Sequence, residues 1–289
     1  MTLDGGARRF ALETVVRQGL AIAWHHLFRF VAIVVAVAIP LGLLTALARL
    51  LLASGVRPTA TGNAIDFSSN ASAVAFVAVA SILAMLTYLL TQAAIVVATL
   101  QVLRGPGVGI VAALRQALTA APRLLAAGLL LYVGGGFAAG IIGFLVVQLF
   151  GGAPGGNLAT PAKSALAVFS LVVMALAFTI MTLTWVFVPA IVIERAGPIA
   201  AFKRSLELTK GRRWPVLGII LMLLLANVLA SVLTRSIMAE AAPTGGAVLN
   251  LLAALFFMVL AAVLSAVGYF HLRAEKEGRA IADLARSFD

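Results

Sequence analysis

The chain has 289 residues, 63% hydrophobic and 11% charged, with a mean hydropathy of +1.12 and a formal net charge of +11. That composition excludes an ordinary soluble domain, and the absence of cysteine excludes disulfides, thiolate metal sites and thiol nucleophiles. A pI of about 11.4 in so apolar a chain reads as arginine and lysine placed for membrane topology, so no nucleic-acid partner is expected.

Residues 1–29 read as an amphipathic cytoplasmic lead in which Glu13 and Arg17, four apart, share a helix face. The first apolar run is too long for a signal peptide, so it is expected to stay in the mature protein. Six runs of bilayer length follow, over roughly 30–53, 73–102, 124–150, 165–193, 215–236 and 247–270. The fold class is therefore all-α, a polytopic membrane protein with six transmembrane helices in one membrane domain spanning 1–289, with residues 271–289 as a tail. Pro40 and Pro189 predict kinks in the first and fourth spans. The connections at 55–72, 151–163 and 238–246 are rich in Gly, Pro, Ser and Thr and poor in charge, which marks them as plain linkers.

Of the 21 lysines and arginines, all but Arg49, Arg57, Lys163 and Arg235 fall on one side of the six spans. The excess marks the cytoplasm, so both termini are expected there, in a plasma or inner membrane. Three segments on that side repeat a basic residue, a variable one, a small one and Leu: RQGL from Arg17, RQAL from Arg115 and KRSL from Lys203. The chain then reads as three units, each an interfacial amphipathic helix followed by two spans, with such helices near 108–121 and 198–210.

In the third unit, Lys203, Arg204, Glu207 and Lys210 fall in one arc of a helical wheel, and Ile199, Ala201, Phe202, Ser205, Leu206, Leu208 and Thr209 fill the other. Pro198 suits the first turn and Gly211 the C-terminal cap. Trp24 and Trp214 suit headgroup depth. Lys203, Arg204, Lys210, Arg212 and Arg213 therefore form a candidate rim for anionic lipid headgroups or a protein partner. Orientation and anchoring of the spans is the competing reading of the same charges.

Pro189, Glu194, Gly197, Ala201, Arg204, Ser205, Leu208, Thr209, Lys210, Gly211 and Trp214, followed by YFHLRAEKEG from Tyr269 to Gly278, carry a resemblance. Together they resemble the six-span membrane-domain family named after glycerophosphoryl diester phosphodiesterases, with P..V.E..G...A..RS..L.KG..W before the fifth span and Y.DLR...EG after the sixth. His271 stands where that pattern has Asp. The resemblance implies a membrane domain that some relatives fuse to a catalytic barrel and many carry alone without an assigned activity; no barrel is expected here, so the family name does not make the chain an enzyme.

His25, His26 and His271 stand in no metal-ligand spacing, and GxSxG, P-loop and GxGxxG motifs are missing. No catalytic residue, cofactor or metal is therefore expected. Thr87, Thr91, Gln92, Gln148, Thr179, Thr182, Thr184 and Asn227 lie within spans, where they are expected to bond to other helices. Gly136 and Gly140, in GxxxG spacing, are expected at a close helix contact. Glu194 ends the fourth span at the negative pole of a helix and needs a cation. Arg204, Arg213 and Arg273 are in reach, and Arg273 is favoured because the pair would clasp the two stretches that carry the resemblance. The function expected is a non-enzymatic membrane protein engaging lipid headgroups or a partner. A transporter or channel between the repeats is the alternative, and it would need a polar cavity near the midplane.

Overall fold

A computed structural model describes residues 12–52, 71–105, 109–149, 160–238 and 243–277. All of the regular structure in these residues is helical: α1 (Leu12–His25), α2 (Leu27–Leu52), α3 (Ala71–Arg104), α4 (Ile110–Leu149), α5 (Thr160–Leu183), α6 (Phe187–Ile193), α7 (Pro198–Thr209), α8 (Arg213–Met238) and α9 (Pro243–Glu277). Among the described residues, six stretches are long and apolar enough to cross a membrane. The chain is a multi-pass, all-α membrane protein.

The core is built around α3 and α9. Ala93 to Ala98 are buried without interruption, and six consecutive residues at 100° each sweep the whole circumference of a helix, so α3 is enclosed by protein there. The same holds for Ala262 to Val267 and for Tyr269 and Phe270 in α9. Both enclosed stretches lie toward the ends of their helices that carry the charged joints. Farther along, Leu43, Leu47, Leu50, Leu171, Leu225, Leu229 and Leu252 are exposed, as the lipid-facing side of a span requires.

Glycine sets how closely the helices approach. A Cβ on Gly19 of α1 would lie 2.5 Å from Leu264 Cδ2 of α9, and one on Gly268 would run into the six-membered ring of Trp185. Gly136 and Gly140 belong to α4, but their surroundings lie outside the described residues.

Two expectations about helix boundaries are corrected. Residues 108–121 do not form a separate interfacial helix: from Ile110 they are the start of α4, whose 40 residues span about 60 Å at 1.5 Å each, twice the ~30 Å hydrocarbon core. Ala112, Ala113, Ala117, Ala120 and Ala121 are strong helix formers, and Pro122 sits on an exposed face, so nothing there ends the helix. Ala113, Ala117, Ala120, Leu124 and Ala127 form one continuous buried stripe across it. The second unit thus fuses its amphipathic segment to its span, whereas α1 and α7 remain separate.

The fourth span, by contrast, is broken. Helix α5 ends at Leu183 and α6 begins at Phe187, and the amide of Phe187 bonds to Thr184 O, so no amide four residues on reaches Leu183 O. Pro189 has no N–H to offer Trp185 O. Side chains from neighbouring helices supply both bonds: Ser205 Oγ of α7 donates to Leu183 O at 2.6 Å, and Ser265 Oγ of α9 donates to Trp185 O at 2.7 Å. Helix α2, in contrast, continues through Pro40.

Threonines in the spans also differ from expectation. Thr87, Thr179, Thr182 and Thr184 each donate to the carbonyl four residues back in their own helix rather than to another helix. Thr91 and Gln92 are buried, Asn227 is half-buried, and the surroundings of Gln148 lie outside the described residues.

Candidate functional site: a charged cluster and its rim

Glu194 caps α6 with its own amide bonded to Ala190 O, and the chain then reverses. Arg195 takes a left-handed φ of 53°, Gly197 is extended, and Pro198 opens α7 at its first position. The reversal lays α7 across the ends of α6 and α9 with Ala201, Ser205, Leu208 and Thr209 buried. Much of the expected interfacial face of α7 is therefore covered by protein, although Ile199 stays exposed. Gly211 follows α7 with a φ of 85°, the left-handed conformation that suits glycine after a helix.

This placement brings five side chains together. Arg204 Nε donates to Glu194 Oε1 at 3.0 Å, and Arg204 Nη2 donates to Glu277 Oε1. Arg273 Nε donates to Glu277 Oε1 at 3.0 Å and Arg273 Nη1 to Tyr269 Oη at 2.9 Å. Tyr269 Oη in turn donates to Glu194 Oε1 at 2.6 Å, and Arg273 Nη1 lies 3.5 Å from the same oxygen. Two carboxylates, two guanidiniums and a buried phenol thus close a ring with no net charge. Its ionised side chains are between 13% and 26% exposed, dry enough for the pairing to matter and wet enough to avoid the full cost of burying charge. Burial disfavours the Arg204 cation, but its bonds to Glu194 and Glu277 prevail and raise its pKa.

Glu194 and Arg273 are therefore adjacent, and Arg204 shares Glu194 with Arg273. Arg213, the third cation weighed for that role, is exposed at the start of α8. The rim likewise divides. Arg204 is held in the ring, and Arg212 Nε reaches both oxygens of Glu275 at 3.1 and 3.2 Å, a bond that raises the Arg212 pKa. Lys203, Lys210 and Arg213 are exposed, and no ion pair holds them among the described residues. Trp214, 83% exposed, stands beside them, and Trp24 is 70% exposed on α1.

Several participants escape a reading of the sequence. Glu277 has one local signal, its i,i+4 spacing from Arg273. Tyr269 has the same spacing from Arg273, but its bond to Glu194 spans 75 residues, and the Glu275 bond to Arg212 spans 63. His271 lies within 2.8 Å of Gln18 across 253 residues, which ties α9 to α1. His25 Nδ1 lies 2.9 Å from Ala21 O, and His26 stacks edge-on against Phe30. Among the described residues no three of His, Asp and Glu are close enough to hold a metal ion.

No family model, curated protein or solved structure matches this chain.

Proposed function

We propose that the chain is a non-enzymatic plasma-membrane protein whose charged end faces the cytoplasm and engages anionic lipid headgroups through Lys203, Lys210 and Arg213. The observation that carries this reading is the division of the rim: two arginines are neutralised by carboxylates, while three cations stay exposed beside Trp214. An exposed cation near an anionic surface contributes about 1 kcal/mol, and an exposed indole favours headgroup depth. Membership of the six-span membrane-domain family is part of the same proposal. In its support, Glu194, Arg204, Tyr269, Arg273 and Glu277, the whole of the closed ring, are motif positions of that family pattern.

The test is retention of phosphatidylglycerol against phosphatidylcholine by the purified full-length chain, read by native mass spectrometry. Replacing Lys203, Lys210 and Arg213 with Gln is expected to weaken phosphatidylglycerol retention about fivefold per cation and to leave phosphatidylcholine unchanged. Equal loss of both lipids would mean that these charges only orient the spans.

A further inference from the structure

A cavity of about 270 Å³ opens between the start of α4 and the turn from α6 into α7, lined by Gln116, Thr119, Ala120, Arg123, Val192 and Arg195. Neither the ring nor the rim includes any of these residues. Two guanidiniums share the cavity and no carboxylate lines it, so its character is cationic. Each guanidinium offers a planar fork of N–H donors that matches two oxygens of one phosphate, a geometry that an ammonium lacks. The Gln116 amide adds donor capacity, while the Thr119 hydroxyl is already committed to Gln116 O at 2.7 Å.

The backbone supplies a second, independent observation. Arg195 is the one non-glycine residue with positive φ among the described residues, and it follows the end of a helix, where glycine ordinarily fills that conformation. A side chain with a Cβ is disfavoured there. Strain of this kind is retained where the side chain has a task, and this side chain lines the cavity.

Size and surroundings indicate the ligand. The volume equals about nine waters at roughly 30 Å³ each, more than a bare phosphate fills. Leu118, beside Thr119, is 60% exposed, and Val111 on the same helix is 79% exposed, so apolar surface lies next to a polar, cationic cavity. We propose that this cavity is a discrete, one-per-chain seat for the phosphate of an anionic lipid headgroup, with Arg123 and Arg195 as its ligands. The proposal goes beyond the rim, whose cations are exposed on α7 and at the start of α8 and attract headgroups without a cavity.

The experiment uses the full-length protein in detergent with dioleoylphosphatidylglycerol as the probe, read by native mass spectrometry and thermal unfolding. One lipid per chain is expected to persist in the wild type and in the Lys203→Gln/Lys210→Gln/Arg213→Gln variant. Arg123→Gln and Arg195→Gly are each expected to weaken that one about tenfold, the scale of a hydrogen bond to a charged group. Arg195→Gly also removes the strained Cβ, so it is expected to leave unfolding without lipid at or above the wild-type temperature, which separates lost binding from lost folding. Arg123→Lys keeps the charge without the fork and is expected to bind between wild type and Arg123→Gln. Inorganic phosphate or glycerol 3-phosphate at millimolar concentration is expected not to displace the lipid; displacement would assign the seat to a soluble phosphate compound and overturn the lipid source. Unchanged phosphatidylglycerol retention in both arginine variants, or equal loss of phosphatidylcholine, would overturn the site itself. Loss of the persistent lipid in the Lys203→Gln/Lys210→Gln/Arg213→Gln variant alone would do so as well.

Discussion

At Glu194 a single carboxylate oxygen accepts from Arg204 and Tyr269 and lies 3.5 Å from Arg273. Removing its charge leaves two partly buried guanidiniums to share Glu277, so Glu194→Gln is expected to destabilise the protein in detergent by about 1–3 kcal/mol, below the range for fully buried pairs because these groups are partly wet. Arg273→Gln is expected to cost a similar amount. The double variant should cost measurably less than the sum, and strict additivity in thermal unfolding would show the two residues to be uncoupled. A charge swap is the weaker experiment, since an arginine at 194 would face Arg204 even after Arg273→Glu. His26 supplies a pH signature. Burial, then Arg29, then His25 lower its pKa below 6.5, so the folded protein favours the neutral ring. Its contribution is fully present above pH 6.5 and is lost as the pH falls toward the folded value. His26→Gln is therefore expected to flatten the acid side of a plot of unfolding temperature against pH, and an unchanged slope would remove His26 as its cause.

Among the elements, the interrupted fourth span makes the sharpest claim. Ser265 serves a carbonyl that Pro189 cannot reach, so Ser265→Ala is expected to cost about 1–3 kcal/mol by leaving Trp185 O without a donor. Pro189→Ala in that background restores an N–H four residues on and is expected to recover part of the loss. If thermal unfolding shows no recovery, the carbonyl was not the reason for the cost. Hydropathy alone located the six spans, because crossing a bilayer demands long apolar runs whatever they pack against. Pro189 also signalled local trouble. What stayed hidden was non-local: the two serines come from 22 and 80 residues away, and nothing in their own neighbourhoods marks them as donors. The continuous α4 was hidden for another reason. A proline normally suggests a boundary, but at Pro122 the lost bond faces outward and the alanine-rich stripe across it keeps the helix whole. The ring was half legible, since the negative pole at Glu194 asked for a cation and Arg204 and Arg273 were both in reach, yet that one oxygen serves both cations and that Tyr269 joins them depends on α7 lying against α9.

For the whole molecule, topology is directly testable because no native cysteine interferes. Single cysteines at Ser54, Ser69 and Ser164 are expected to react with an impermeant maleimide from outside intact cells, and one at Ser287 is not. Labelling at Ser287 would invert the assignment of the charged end to the cytoplasm. The central position of α9 also bears on how the protein is made. This helix touches α1, α2, α3, α6, α7 and α8, yet it leaves the ribosome after all of them. Gln18 and His271 are 253 residues apart, which at 5–20 residues per second separates their synthesis by roughly 10–50 s. During that interval Gly19 lacks Leu264, the α9 side chain it packs against in the finished bundle. Closure of the bundle around its first helix thus waits for its last span, and a ribosome stalled before α9 would leave five inserted spans around an open centre, a substrate for membrane quality control.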